Sequence, residues 1–296
     1  MLKHLLAAAA LFAAPLPALA QDTAPPLTVE VLRTSAGSLH SNAALIMGDH
    51  DAVLVDPPFT QADAHRVAAM VLDSGHRVTH IFVTHDHPDH FFSMDVLHEA
   101  FPDAQIVAHP TVVADIWRSL PFKVVRWLPG LAANGPAYPM APRALESDAI
   151  MLEGHRLEVL GPMQGDHVHS TALWAPDIRA LFAGDLVFNE VHLWLGEHQA
   201  ANVSAWAQSV RQLQALDPAI VVAGHARPGL PNDASGLAFT AAYLEAWPQL
   251  IAASSNSADL RARITARFPT TIDVLGDFIL KNSSEVAMGE QPVWTE

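Results

Sequence analysis

Cysteine is absent from the 296-residue sequence, and tyrosine occurs only twice. Without cysteine, the chain has no disulfide framework, no thiolate metal ligand and no cysteine nucleophile. Basic residues are also scarce, since 16 lysines and arginines oppose 31 aspartates and glutamates and give a formal net charge of -15. This charge balance argues against binding to nucleic acid, whose phosphates require a basic face. Any metal site must therefore use histidine, aspartate and glutamate.

Long apolar runs are missing beyond the N-terminal region, although half of the residues are hydrophobic. We therefore expect no membrane span in the mature chain. Residues 1–20 have the pattern of an export signal, with Lys3 near the start, an apolar run in 5–14 and a small-residue cleavage site at 18–20. We expect cleavage after Ala20 and a periplasmic or secreted mature protein. An uncleaved membrane anchor is the alternative.

Histidine, in contrast, is abundant, and three of the 17 copies lie in the segment 84–90, Thr-His-Asp-His-Pro-Asp-His. The preceding residues 78–83 are largely β-branched or aromatic and predict a buried strand that ends where this segment begins. Loops that follow a strand commonly carry the chemistry of an α/β protein. The segment therefore predicts a metal site, and an inert polar loop is the alternative.

The spacing within this segment favours two ions. His85 and His87 are two residues apart, so on extended backbone their side chains point the same way and can bind one ion. Asp89 and His90 follow a turn and can reach a second ion. Asp86 either faces away from the ions or lies near them as a proton carrier.

The run 85–90 resembles the H-x-H-x-D-H signature of the metallo-β-lactamase fold superfamily, and the resemblance extends over roughly residues 28–230. It implies an α/β fold, the αββα sandwich, with one or two metal ions at one edge. We expect this domain to span residues 27–235. Predicted helices within 236–285 are expected to pack on the same domain as a C-terminal extension.

The resemblance implies further site residues where apolar strands end. Asp56 would support the metal loop, and an ordinary turn residue is the alternative at that position. Asp185, after Gly184, would bridge the two ions. His225, after Gly224, would complete the second site. The alternative for both is a simple turn at a strand end.

The third ligand of the first ion is ambiguous, because the superfamily usually shows Gly-His followed by Thr or Ser. Here Gly165 is followed by Asp166, and two histidines come after it. Position relative to the next strand favours Asp166, whereas residue type favours His169, with His167 also available. A ligand set of two histidines and Asp166 would be more anionic and would bind its cation through harder ligands.

Helices are predicted over 60–74, 91–101, 111–120 and 203–216, and strands over the apolar runs between them. Residues 121–148 are rich in proline and predict a long irregular loop, which would act either as a lid or pocket wall or as a plain packed connection. The last fifteen residues are expected to be poorly anchored.

These residues and the hydrolases that predominate in the family they resemble together imply a metallo-hydrolase, which we expect to bind two Zn²⁺ per chain. His85, His87 and either Asp166 or His169 would bind the first ion, and the second would be bound by Asp89, His90 and His225. A water molecule that loses a proton to become hydroxide on the metals would attack a carbonyl group. Asp185 would lie between the two ions.

The catalytic candidates are Asp89 and His192, of which His192 would bind substrate or stabilise developing charge, or would be a packed histidine. The expected substrate is a small lactam, lactone, ester or amide. The alternatives are an iron-dependent redox enzyme of the same fold and a metal-binding module without turnover.

Overall fold

The computed structural model describes residues 25–295, so the predicted export signal lies outside the described residues. The first sheet contains six strands in sequential order, of which the first three pair antiparallel and the rest parallel. These strands are β1 (Thr28–Arg33), β2 (Asn42–Met47), β3 (Asp51–Val55), β4 (Arg77–Val83), β5 (Gln105–Ala108) and β6 (Arg143–Ala144).

The second half of the chain forms the second sheet and a short pair. Its strands are β7 (Ala149–Leu152), β8 (His155–Met163), β9 (Ser170–Ala175), β10 (Ala180–Phe182), β11 (Phe188–Asn189), β12 (Ile220–Val222) and β13 (His225–Ala226). The second sheet has the order β12-β10-β9-β8-β7, and β11 pairs with β13 in parallel. β10 runs parallel to β12 and antiparallel to β9.

Helices cover the outer faces of both sheets. They are α1 (Gln61–Ser74), α2 (Met94–Ala100), α3 (Pro110–Leu131), α4 (Ala200–Gln214), α5 (Ser235–Ala252), α6 (Ser257–Arg267) and α7 (Phe278–Ala287). Alternate residues of β2 and β3 pack against α1, α2 and α3, while the others meet the second sheet in a core shared by both sheets. The other face of the second sheet packs against α4 and α5. The α/β prediction, an αββα sandwich with C-terminal helices, is confirmed.

The boundaries of α1 illustrate how local sequence signals determine an element. The Thr60 side chain accepts a hydrogen bond from the Asp63 backbone N–H and caps the N-terminus. The helix ends at Gly75, whose φ of 72° lies in the left-handed region that glycine adopts at low cost. The predicted helix 60–74 therefore matches the observed one within a residue.

The prediction of an irregular loop over 121–148 is wrong in its first part. α3 continues through Pro121 and Pro129 to Leu131, and irregular backbone begins only at residue 135. Proline removes one helical hydrogen bond and normally bends or ends a helix. Here the helix has already buried Ile116 and Leu120 against the first sheet, and tertiary packing outweighs the local penalty.

The C-terminal region also differs from the prediction. α7 buries Ile279 and Leu280, and the Trp294 backbone N–H donates to the Gly196 carbonyl at 2.9 Å. The sequence shows few apolar residues after Leu280, but the side chains near the end of the chain pack through aromatic contacts. The described residues of this region are therefore anchored to the domain.

The ligand-bearing loops meet at one edge of the sandwich because of strand direction. β4, β10 and β12 all end at this edge, whereas the antiparallel β9 begins there. The two sheets are joined at this point by Thr171, whose backbone N–H and hydroxyl both donate to the Thr84 carbonyl, at 3.0 and 2.5 Å.

Candidate metal centre

Seven histidine and aspartate side chains converge at this edge in two groups, and all seven are buried. The ligand atoms within each group lie within 4.8 Å of one another. The first group contains His85, His87, Asp166 and Asp185, and the second contains Asp89, His90 and His225. Residues that are up to 140 positions apart in sequence, 85 and 225, thus face one small volume.

In the first group, carboxylates approach both histidines. Nδ1 of His87 lies 2.9 Å from Oδ2 of Asp166. Nε2 of His85 lies 3.8 Å from Oδ1 of Asp166 and 3.7 Å from Oδ2 of Asp185. The side chains therefore surround a common point as the ligands of one cation would.

Asp185 also reaches the second group. Its Oδ1 lies 3.2 Å from Nε2 of His90, and its Oδ2 lies 3.3 Å from Nε2 of His225. Oδ2 of Asp89 lies 3.0 Å from Nε2 of His225. One carboxylate is thus shared by the two groups, which is compatible with a dinuclear metal site.

The donor set fits two divalent cations on two counts. Among residues 25–295, four buried atoms of the first group have no hydrogen-bond partner, namely Nε2 of His85 and His87 and Oδ1 of Asp166 and Asp185. Buried polar atoms without partners are costly unless a ligand satisfies them. Asp56, Asp89, Asp166 and Asp185 also place four buried carboxyl groups in this region, and carboxylate is a ligand that divalent cations accept.

Outer hydrogen bonds orient three of the histidines in the same way. Nδ1 of His90 donates to Asp56 at 2.9 Å, Nδ1 of His225 donates to the Leu39 carbonyl at 2.8 Å, and Nδ1 of His85 donates to the Thr84 hydroxyl at 2.9 Å. In each ring Nδ1 faces this outer partner, so that Nε2 is the nitrogen that would bind a metal.

Asp56 supports the metal loop as well as His90. Its carboxylate accepts from the Thr84 backbone N–H at 2.9 Å and from the Thr84 hydroxyl at 2.8 Å. The Asp56 backbone has a φ of 58°, a conformation that residues other than glycine adopt only at a cost. The structure places Asp56 beneath the ligands, where the resemblance predicts a supporting residue.

Two glycines allow these loops to approach closely. A Cβ atom on Gly224 would overlap the Asp185 carboxylate, and one on Gly184 would overlap the Thr84 side chain. Glycine therefore precedes Asp185 and His225 because a side chain at either position would overlap a neighbouring loop.

Helix α3 contributes a row of polar side chains that face the metal loops. Lys123, which is buried, places Nζ 2.9 Å from Oδ1 of Asp86 and also contacts the Asp86 carbonyl. The Ser119 hydroxyl donates to the same carboxylate at 2.9 Å. Asp86 therefore faces α3, the first of the two arrangements considered for it, although it lies between two candidate ligands.

The structure does not bring His169 into either group. Nδ1 of His169 donates to Asp115, on α3, at 2.6 Å, and its side chain is 38% exposed. The ring of His167 lies 5.8 Å from that of His87, centroid to centroid, also outside both groups. Of the three residues considered for the third ligand, only Asp166 lies among the ligand atoms.

Mutual charge governs the pKa values of these side chains. Burial alone would lower the pKa of His225, but Asp185 and Asp89 outweigh burial and raise it to about 10. Burial and the nearby Asp185 raise the pKa of Asp166 well above its usual value, whereas His225 and His90 outweigh burial and lower that of Asp185. The carboxylates of the site thus favour positive charge beside them, which is also the electrostatic condition for binding cations.

Comparison with known proteins agrees with this geometry. The family model of the metallo-beta-lactamase superfamily matches residues 36–225, which include both ligand groups. The chain belongs to the metallo-beta-lactamase superfamily. A curated metallo-beta-lactamase type 2 from Pseudomonas aeruginosa is 23% identical over 195 residues, covering 65% of this chain and 70% of that protein.

Solved structures show the same fold. A metallo-beta-lactamase family protein from Thermus thermophilus superposes with a TM-score of 0.63 at 20% identity, covering 89% of this chain and 92% of the other. The DIM-1 metallo-beta-lactamase superposes with a TM-score of 0.55 at 21% identity, covering 75% and 99%. Within residues 25–295, no helix combines the length and apolarity needed to cross a bilayer.

A cavity of about 370 Å³ opens beside the candidate metal centre. Asp89, Asp166, Asp185 and His225 line it. Trp194, Phe278 and Trp294 also line it, and their ring centroids are 5.4 to 5.8 Å apart. We call these three residues the aromatic wall. Two of its members come from the C-terminal region beyond residue 225, where the superfamily match ends.

His192, predicted from sequence as a catalytic candidate, also lines this cavity. Its Nδ1 lies 3.0 Å from the Tyr243 hydroxyl, and burial lowers its pKa to about 4. The ring is therefore neutral near pH 7, and the hydrogen bond to Tyr243 leaves Nε2 for a ligand.

Sequence reasoning missed Glu197 and Lys123. Oε1 of Glu197 lies 3.7 Å from Nε2 of His87 and accepts from the Trp194 indole N–H at 2.9 Å. Burial opposes ionisation of Glu197, but His87 and Trp194 outweigh it and lower its pKa to about 2. Lys123 follows Ser119 and Asp115 at intervals of four, a helical spacing that would have been visible had the helix been predicted to continue.

Proposed function

We propose that this protein is an exported zinc-dependent hydrolase that acts on the carbonyl group of a lactam, lactone, ester or amide. The observation that carries the proposal is the position of Asp185, whose two oxygens lie within 3.2 to 3.7 Å of histidines from both ligand groups. A carboxylate in this position can serve two closely spaced cations.

In this proposal, His85, His87 and Asp166 bind the first ion, and Asp89, His90 and His225 bind the second, with Asp185 between. Zn²⁺ would supply Lewis-acid polarisation of the carbonyl and would lower the pKa of water to about 7. No side-chain nucleophile is then needed, which suits a chain without cysteine. Imidazole and carboxylate are ligands that Zn²⁺ accepts.

Side chains that face the cavity would accept the proton and stabilise the charge that develops on the substrate. Oδ2 of Asp89 lies 3.0 Å from Nε2 of His225, another member of its group. The Asp89 carboxylate can receive a proton from the attacking water. His192, held through Tyr243, can donate from Nε2 to the oxygen on which charge develops. The aromatic wall gives the same cavity an apolar surface beside these groups.

The test is metal content and ester hydrolysis in His87→Ala, with His50→Ala as the matched control. The His50 side chain is 82% exposed and remote from both groups, so its removal should change neither quantity. We expect His87→Ala to lose bound zinc and most hydrolysis. Undiminished metal and turnover in this variant would reject the proposal.

Metal analysis of the native protein also separates this proposal from the two alternatives. Bound iron together with redox turnover would favour an iron-dependent redox enzyme of the same fold. Zinc bound tightly, without hydrolysis across a panel of esters, lactones and lactams, would favour a binding module.

Export has its own test. N-terminal sequencing of the protein from the periplasmic fraction or the medium should give Gln21 as the first residue. Recovery of a cytoplasmic protein that retains residues 1–20 would contradict the localisation and leave the hydrolase proposal untouched.

A further inference from the structure

The C-terminal region completes the cavity in a way that the superfamily match does not include. The Ile272 backbone N–H donates to the Glu190 carbonyl, and the His192 backbone N–H donates to the Ile272 carbonyl, both at 3.0 Å. These bonds attach the segment that leads into α7 to the segment that carries His192. The C-terminal region therefore has a fixed position beside the candidate metal centre.

The aromatic wall gives the cavity an apolar side. Trp194 and Phe278 stack with an interplanar angle of 19°, and Trp294 meets both rings edge-on. Tryptophan and phenylalanine rings contribute large apolar area, and further rings pack on them in stacked or edge-to-face geometry. With a volume of about 370 Å³, the cavity accommodates a small organic molecule. The wall thus favours an aromatic or apolar group.

Two cationic side chains, apart from histidines, line the cavity, and they differ in their partners. Lys123 is paired with Asp86. The Arg126 guanidinium lies over two indoles, 5.5 Å from the Trp127 ring centroid and 5.1 Å from that of Trp294. Within residues 25–295, Arg126 makes no ion pair with a carboxylate.

With its central carbon over two indole rings, the Arg126 guanidinium can make cation–π contacts with both, and its N–H groups can donate to an acceptor. A planar guanidinium presents parallel donors that match the two oxygens of a carboxylate. Arg126 lines the cavity together with Trp294, so its guanidinium can reach a ligand that lies against the aromatic wall. Glu197, which also lines the cavity, is already bonded to Trp194 and close to His87.

We propose that this cavity binds a small aromatic or apolar carboxylate, with its ring against the aromatic wall and its carboxylate on Arg126. The inference rests on the proposed function, because it names the substrate class: a hydrolysable carbonyl compound that also bears a free carboxylate. The C-terminal region and α3 then select the substrate, and the candidate metal centre acts on it.

The experiment measures binding separately from turnover. Isothermal titration of the metal-loaded mature protein compares 3-phenylpropanoate with 3-phenylpropan-1-ol, which differ in the charged group. We expect wild type to prefer the carboxylate, and Arg126→Gln to weaken carboxylate binding about tenfold with little effect on the alcohol. Arg263→Gln, which removes a cation paired with Asp259 on α6, is the matched control.

A second variant tests the apolar part of the site. Trp294→Leu keeps an apolar side chain but removes the ring, and we expect it to weaken both probes. An Arg126→Gln variant that loses both probes equally, or neither, would overturn the assignment of Arg126. A wild type without preference for the carboxylate would overturn the ligand class.

Hydrolysis of 4-acetoxybenzoate and phenyl acetate separates the two proposals. Turnover of both esters without preference, together with no Arg126-dependent binding, would leave the hydrolase proposal standing and overturn the ligand class. Arg126-dependent binding of the carboxylate without turnover of either ester would support the ligand class and contradict the hydrolase.

Discussion

The Asp56 carboxylate and the His90 imidazole form a buried pair, with Nδ1 of His90 2.9 Å from Oδ2 of Asp56. The same carboxylate binds the backbone and the hydroxyl of Thr84 at the start of the metal loop. One residue that follows β3 thus holds both the loop and the ring orientation of a candidate ligand.

Replacement of Asp56 by asparagine should therefore weaken metal binding although Asp56 is not in either ligand group. We expect the affinity of the second site to fall about ten- to hundredfold, the usual cost of losing an outer partner of a ligating histidine. Competition titration with a chelator measures it. Asp177→Asn, which alters a similar carboxylate–imidazole pair with His155 away from the site, should leave the affinity unchanged. Equal affinities in the two variants would contradict the assigned role.

Lys123→Met should destabilise the fold and disturb the first site. The variant leaves Asp86 buried without its cationic partner, and removal of one member of a buried pair costs about 3 to 5 kcal/mol. Thermal unfolding and metal titration measure both effects. The double variant with Asp86→Asn should recover part of the stability. Arg118→Gln, on the exposed side of α3, should cost less than about 1 kcal/mol. A Lys123→Met protein of wild-type stability would contradict this account.

Gly224→Ala should abolish metal binding, because the added methyl group overlaps the Asp185 carboxylate. The matched control is Gly130→Ala, where no atom lies within 4 Å of the new Cβ and alanine suits the helix better. We expect metal to be lost only in the first variant, measured by elemental analysis after dialysis. A full metal content in Gly224→Ala would show that the close approach of the two loops is not required.

The depressed pKa of His192 predicts a pH dependence of stability. The unfolded chain takes up a proton at His192 below about pH 6.5, whereas the folded chain does so only below about pH 4. This contribution is therefore fully present above pH 6.5 and is lost as the pH falls to 4, by about 3 kcal/mol. Denaturant unfolding of wild type and His192→Gln across this range measures it. Equal pH dependence in the two proteins would contradict the burial effect.

The sequence contained the strand-end signals that define most of the candidate site, because each ligand loop follows an apolar strand. It could not decide between Asp166 and His169, which are three residues apart on an irregular loop. That choice depends on tertiary contacts: Asp115 on α3 binds His169, while Asp166 lies against His87.

The extent of α3 and the position of the C-terminal region were the main failures of prediction. Proline is a strong local signal for a break, yet the buried face of α3 outweighs it at Pro121. Trp294 gives no periodic signal, because its contacts with Trp194 and Arg126 join distant parts of the chain. Both features belong to the cavity, so the substrate site was less visible in the sequence than the metal ligands were.

The most direct measurement for the central claim is the number of divalent cations that remain bound to each chain of the purified mature protein after exhaustive dialysis. The shared position of Asp185 predicts two per wild-type chain and a lower number in Asp185→Asn. A wild-type protein that retains no cation, or an Asp185→Asn protein that retains two with unchanged affinity, would contradict the account.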